Sequence, residues 1–293
     1  MIYTIENDAI RVQVSSVGAE LMSLQTKPDG HEYLWQGDAT YWASRASNLF
    51  PICGRLTDGK YTYRGKTYEM LLHGFARHAE MTVASQQSDA IAFRLTDSTG
   101  SLQKYPFHFE LTISYQLEGQ TVRQTFTVRN TGDEVLPFAV GGHPGFNVPM
   151  EDGTQFEDYY VEFDCVKPAK SLVMSETCYD TGDRVPFTLE NGKVLHLNHH
   201  LFDHDAIFLT DMCKGVTLKS DKTSRSVHLS YPDMNFLGFW HKPNTEAPYV
   251  CIEPWYSVPA LDGIVDDMET KRMMIHLAPN APAYTNTIEI TIH

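Results

Sequence analysis

The sequence predicts an all-β protein, a large antiparallel sandwich of two packed sheets with a few short helical turns, and three observations predict it. Apolar and polar residues alternate with period two in segment after segment, which buries one face of a strand and wets the other. Short turn signals punctuate those segments. Hardly any long stretch carries the 3.6-residue period of an amphipathic helix.

Taken in chain order, Ile10-Arg11-Val12-Gln13-Val14 alternates first, followed by Phe109-Glu110-Leu111-Thr112-Ile113-Ser114-Tyr115 and Val161-Glu162-Phe163. Val227-His228-Leu229-Ser230-Tyr231 and Ile288-Glu289-Ile290-Thr291-Ile292 repeat the pattern. Arg64-Gly65 joins Tyr61-Thr62-Tyr63 to Lys66-Thr67-Tyr68, and Glu118-Gly119 joins the strand through Leu117 to the one from Val122 to Val128. Asn191-Gly192 separates Phe187-Thr188-Leu189 from Val194-Leu195-His196-Leu197. Both of its residues tolerate the positive φ of a type I′ turn, so a hairpin is expected there. Short helical turns are expected around Thr40 to Asn48 and Leu197 to Phe202. No low-complexity linker, composition shift or fixed-period repeat divides the chain, so residues 1–293 read as one sandwich domain.

Charge narrows the partners. Against 23 Lys+Arg stand 37 Asp+Glu, a formal net charge of −14, and such a surface repels phosphate backbones and anionic lipid. Nucleic acid and membrane are therefore excluded as expected partners. The N-terminus from Met1 to Asp8 has no basic patch followed by an apolar run, and no stretch approaches the length of a membrane span. The five cysteines are odd in number, widely spaced and free of C-x-x-C, which suits reduced thiols in a cytoplasmic protein. No Gly-rich phosphate loop and no G-x-S-x-G elbow occurs, which disfavours nucleotide-dependent and serine-hydrolase chemistry.

Three segments break the strand pattern and concentrate titratable side chains among Gly, Pro and aromatics. The first runs from Asn48 through Gly54-Arg55-Leu56 and continues at Leu72-His73-Gly74-Phe75-Ala76-Arg77-His78. The second, Gly141-Gly142-His143-Pro144-Gly145-Phe146-Asn147, reads as too irregular for a strand interior. In the third, Glu253 follows the apolar stretch Tyr249-Val250-Cys251-Ile252 and precedes Pro254-Trp255. A carboxylate at a strand end beside an indole is partly desolvated, which raises its basicity. The plainer account makes these glycines and prolines turn-builders, with solvated polar residues between them. His, Arg, Glu and abundant aromatics together suit a sugar, because charged groups pair with hydroxyls while rings cover the C–H face. His196, His199, His200 and His204, with Asp203 and Asp205, form the densest histidine cluster. His200 and His204 would share a face on a helix, but Phe202 to Leu209 reads as a loop entering a strand, no H-E-x-x-H occurs, and no metal is expected.

These segments, in this order, resemble the aldose 1-epimerase (galactose mutarotase) family, and within it the branch of shorter bacterial galactose-mutarotase-related proteins. The resemblance covers essentially the whole chain, from Val17-Gly18-Ala19-Glu20-Leu21 to Leu277-Ala278-Pro279-Asn280, where the family usually has Pro-Gly. It implies a galactose mutarotase-like supersandwich, and it implies site residues. The sugar-binding Arg of the family's Asn-Arg-Ile segment falls on Arg55, with Gly54 in place of Asn. The substrate-binding His of His-Gly-Gly falls on His73, the second histidine on His143 and the catalytic glutamate on Glu253. The family's hydroxyl-binding aspartate falls on Asp205, which keeps the spacing to Phe208, or on Asp203, which keeps the adjacent His204; Asp205 is preferred.

The implied reaction opens and recloses a hexose ring. Glu253 would act as base at the C1 hydroxyl and protonated His143 as acid at the ring oxygen, while Arg55, His73 and Asp205 hold the open aldehyde. No cofactor is expected. Two alternatives remain. A hexose-6-phosphate 1-epimerase would need cations near the site, and Arg55, Arg77, Lys60 and His78 are the ones available. A non-catalytic carbohydrate-binding sandwich would bind hexose without accelerating mutarotation. Whether the chain forms a homodimer stays open.

Overall fold

The computed structural model describes residues 1–293. The alternating segments assemble into a nine-stranded antiparallel sheet. From edge to edge its strands are Val194–His196, Tyr159–Phe163, Gly215–Ser220, Ser226–Ser230, Tyr284–Ile292, Thr121–Asn130, Phe109–Glu118, Ala90–Thr96 and Thr82–Gln86. The central strands keep the expected period. Phe109, Leu111, Ile113, Tyr115 and Leu117 are buried, and the residues between them are half-exposed. Val122, Phe126 and Val128 on one neighbour, and Ile288, Ile290 and Ile292 on the next, continue the same buried face. Each such side chain contributes about 1.5–3 kcal/mol on burial, so register is strongly specified here.

That face packs on a seven-stranded sheet. Its order is Asp180–Phe187, Ala169–Met174, Ile207–Thr210, Phe236–Trp240, Tyr249–Trp255, Gly141–Asn147 and Ala46–Leu49. The two sheets approach so closely at Gly142 that a Cβ there would lie 2.9 Å from the Ile288 methyl. A three-stranded sheet of Ile2–Glu6, Ile10–Ser15 and Leu21–Thr26 covers one flank. Buried Asn48 ties the three sheets together: its amide donates to Gly18 O, Ala19 O and the Tyr115 hydroxyl, and its carbonyl accepts from Gln124. No helix is long and apolar enough to cross a membrane.

The turns at Arg64-Gly65 and Glu118-Gly119 form as expected, and a 3₁₀ turn spans His199–Phe202. Several expectations need correction. Asn191 and Gly192 do take positive φ, and Glu190 and Val194 exchange backbone hydrogen bonds. The flanking strands then part, Phe187 pairing with Ala169 in one sheet and Val194 with Glu162 in the other. The turn is thus a corner between sheets, and no hairpin extends from it. The helical turn expected across Thr40 to Asn48 is a tight turn at Asp38–Trp42 followed by strand Ala46–Leu49, because pairing with Gly141–Asn147 claims its backbone. The Gly-Pro-rich Gly141–Asn147 segment is an inner strand, and Glu253 lies within Tyr249–Trp255 and not at its end.

The expectation of reduced thiols fails at Cys165 and Cys213, which are disulfide-bonded. They stand 48 residues apart in sequence, yet they follow and precede paired strands in which Phe163 opposes Val216. Spacing along the chain carries no sign of that neighbour. Cys53, Cys178 and Cys251 are free.

Candidate active site

The site begins as a defect in a β-ladder. Strands Gly141–Asn147 and Tyr249–Trp255 pair at Gly141–Trp255 and again from Gly145–Cys251, with the ladder interrupted between. Pro144 and Pro254 fall in that interval and have no N–H to donate. The flanking register sets His143 directly opposite Glu253, and opposed side chains share a face. Imidazole and carboxyl therefore meet, with His143 Nε2 3.2 Å from Glu253 Oε2.

Glycines make room for this pair. Gly238 opposes Glu253 on the other side, and a Cβ there would come within 2.7 Å of the Phe208 ring and 3.2 Å of Glu253 Cβ. Gly141 and Gly145 likewise sit against Trp255 and Trp42, which a Cβ would approach to 3.0 and 3.1 Å. Trp42 stacks on the His143 ring with centroids 4.8 Å apart, and Trp240 meets it edge-on.

His73 enters from a loop. Next to it, Gly74 has φ +76°, and a Cβ would lie 2.1 Å from Phe50 O, so only glycine lets the loop press this close. The Gly54 N–H donates to His73 Nδ1 at 3.1 Å, which leaves the proton of the neutral ring on Nε2. Burial, reinforced by His143, Arg77 and Arg55, holds the His73 imidazole well below its ordinary pKa and so neutral. Gly54 itself has φ +76° and no space for a side chain, since a Cβ there would lie 2.6 Å from the Pro259 ring.

Arg55 Nη1 donates to Thr177 O at 3.2 Å, and Nη2 lies 4.0 Å from Asp205 Oδ2. Asp205 has φ +77°, a strained conformation for a residue with a side chain. Its Oδ1 accepts the Ala206 N–H and its Oδ2 accepts the Cys178 thiol. Asp203 instead pairs with His200 Nδ1 at 2.9 Å. Arg55, His73, His143, Asp205 and Glu253 all line one cavity of about 370 Å³, within the size range of small-molecule sites. The histidine cluster does not assemble: His196 bonds Glu190 and His199 bonds His241. The one set of side chains able to share a metal ion is His143, Cys251 and Glu253, whose ligand atoms lie within 4.8 Å of one another.

The electrostatics are those of a dry pair. Burial first, then the charge of Asp205, pushes the Glu253 carboxyl well above its ordinary range, while Arg77 opposes the rise. Burial first, then Arg77, pushes His143 down to about 3. Both groups therefore favour their neutral forms. His143 Nδ1, Glu253 Oε1 and Trp255 Nε1 are buried without a hydrogen-bond partner. Such atoms are costly unless a ligand satisfies them. Sequence reasoning missed Cys178 as a site residue, since a lone cysteine between turn residues carries no signal. Trp42 and Trp240 were visible only as aromatic abundance.

Known proteins resemble this chain along most of its length. A family model described as aldose 1-epimerase matches residues 1–273. Protein LacX, plasmid, of Lactococcus lactis subsp. lactis is 36% identical over 267 residues, covering 87% of each chain. A galactose mutarotase related enzyme from Lactobacillus acidophilus superposes with a TM-score of 0.95 at 35% identity, covering 100% of this chain and 97% of that one. A galactose mutarotase-like protein from Lactobacillus casei gives 0.94 at 30% identity, with both chains covered completely (100% and 100%). The whole-chain fold, the cavity and these relatives lead to one conclusion: the chain belongs to the aldose 1-epimerase family.

Proposed function

We propose that the protein interconverts the α and β anomers of a hexose by general acid–base ring opening and reclosure. The observation that carries this reading is the His143–Glu253 contact at 3.2 Å inside a sugar-sized cavity, with the second polar atom of each group unpartnered. Mutarotation needs a base at the C1 hydroxyl and an acid at the ring oxygen. Both oxygens are bonded to C1, so the acid and the base must be neighbours.

In the proposed cycle, Glu253 takes the O1 proton as the C1–O5 bond breaks, and His143 protonates O5. Rotation about C1–C2 turns the other face of the aldehyde toward O5. On reclosure His143 recovers its proton and Glu253 returns one to O1. Protons balance over the cycle and nothing is oxidised or reduced, so the scheme calls for no cofactor. It starts from carboxylate and imidazolium, one proton transfer away from the neutral pair that burial favours. The Trp42 face stacked on His143 supports the imidazolium through a cation–π contact. Each reacting group should be worth about 10²–10⁴ in rate. Arg55 and the His73 Nε2–H donate to sugar hydroxyls, Asp205 accepts from them, and Trp255 offers apolar cover.

Polarimetry with α-glucose, α-galactose and hexose 6-phosphates tests the reading. Wild type should accelerate mutarotation of a free hexose. Glu253→Gln and His143→Asn should lose about 10²-fold or more of that acceleration while keeping the native circular dichroism. Wild-type rates in either variant would refute its role. Acceleration of hexose 6-phosphates alone would transfer the activity to phosphosugars. The spontaneous rate with every sugar would leave a carbohydrate-binding protein.

A further inference from the structure

The loop Ser175–Tyr179 joins strands Ala169–Met174 and Asp180–Phe187 at the rim of the cavity. It is closed on itself: Ser175 N–H donates to Tyr179 O, Cys178 N–H to Ser175 O, and Tyr179 N–H to Ser175 Oγ. Two of its groups reach into the sugar site. Thr177 O accepts from Arg55 Nη1 at 3.2 Å, and the Cys178 thiol donates to Asp205 Oδ2 at 2.8 Å. Cys178 stands at φ +63°, opposite an aspartate that is itself at φ +77°.

An arginine and an aspartate this close ordinarily close into a two-pronged ion pair. Arg55 and Asp205 do not, for Nη2 stays 4.0 Å from Oδ2. One prong of the guanidinium is taken by Thr177 O, and the oxygen facing it is taken by the thiol. A closed pair would spend on itself the donors and lone pairs that sugar hydroxyls require. We propose that Cys178 is a positioning residue of the sugar site, its thiol holding Asp205 open from Arg55 so that both groups face the substrate. This rests on the function proposed above for its consequence in turnover, but the thiol–carboxylate contact is tested separately.

Two measurements decide it. In mutarotation kinetics Cys178→Ala lets the pair close, and KM should rise about tenfold with kcat within twofold of wild type. Cys178→Ser, which keeps a donor at the same backbone geometry, should restore KM. An unchanged KM in the alanine variant, or a serine variant as impaired as alanine, overturns the proposal. The second measurement needs no turnover. Cys53 and Cys251 are buried, so iodoacetamide reports on Cys178 alone among the free thiols. An accepting carboxylate disfavours the reactive thiolate, so Asp205→Asn should speed alkylation about tenfold at pH 8. An unchanged alkylation rate removes the contact and the proposal with it. If the wild type accelerates no aldose, the proposed function fails, and alkylation still decides whether the thiol engages Asp205.

Discussion

The two large sheets obey different rules. In the nine-stranded sheet one face is buried and the other wet, so the strand Phe109–Glu118 alternates almost without exception. Its outer face carries cross-strand pairs such as Thr125 with Thr287 and Arg123 with Glu289. In the seven-stranded sheet the strand Tyr249–Trp255 is buried at every position. One of its faces meets the other sheet, and the opposite face is roofed by aromatics around the cavity. A strand buried on both sides loses its alternation. The strand beside it, Gly141–Asn147, gives up side chains so that indole rings and the His143–Glu253 pair can fit. The first sheet supplies stability by volume. The second supplies a site by leaving volume out.

The contrast predicts opposite vulnerabilities. Phe126 is fully buried in the nine-stranded sheet, and Phe126→Ala should cost about 3–5 kcal/mol in denaturant unfolding. Activity per folded molecule should be kept, because Phe126 does not line the cavity. A loss below about 1 kcal/mol would mean that this sheet is not packed tightly enough for the distinction to hold. In the seven-stranded sheet the damaging change is an addition. Gly238→Ala pushes a methyl against Phe208 and Glu253 Cβ, which should cost about 1–3 kcal/mol and displace the carboxyl from His143. The rate should fall further than stability does, perceptibly in kcat at saturating sugar. If kcat is unaffected, the glycine is a packing accommodation without bearing on the reaction.

The same contrast explains what the sequence revealed. The alternating strands and the turns at Arg64-Gly65 and Glu118-Gly119 were legible because local pattern and tertiary role coincide there. His143 and Glu253 were recognised through family resemblance, but the strand character of Gly141–Asn147 was hidden by residues that suit a loop when read locally. Its glycines answer to Trp255, Ile288, Trp42 and Cys251, neighbours remote in sequence. Asn191-Gly192 made the turn its chemistry demands, but nothing local says that the strands beyond it enter different sheets. The disulfide and Cys178 were illegible for the same reason, each depending on a partner that only the fold supplies.

The smallest expected effect sharpens the comparison through pH. Burial raises the Glu253 carboxyl in the folded state above its ordinary 4.5. Below that value the group is protonated in both states and its stabilisation is complete. As pH rises the unfolded chain ionises first, so the folded state loses stability on approach to the raised pKa. His143 works in the other direction, its folded value standing at about 3 against an ordinary 6.5. Above 6.5 it is neutral in both states and its stabilisation is complete. On acidification toward 3 the unfolded chain takes up a proton that the folded site refuses, and stability is lost. Thermal melts of two variants should separate these limbs. The Tm of Glu253→Gln relative to wild type should climb from pH 5 to pH 8, because glutamine has nothing to ionise. The Tm of His143→Asn relative to wild type should climb from pH 7 down to pH 4. Differences that stay constant across both ranges would mean that the pair titrates like exposed groups, and that the inner sheet is no drier at its centre than the outer face of its neighbour.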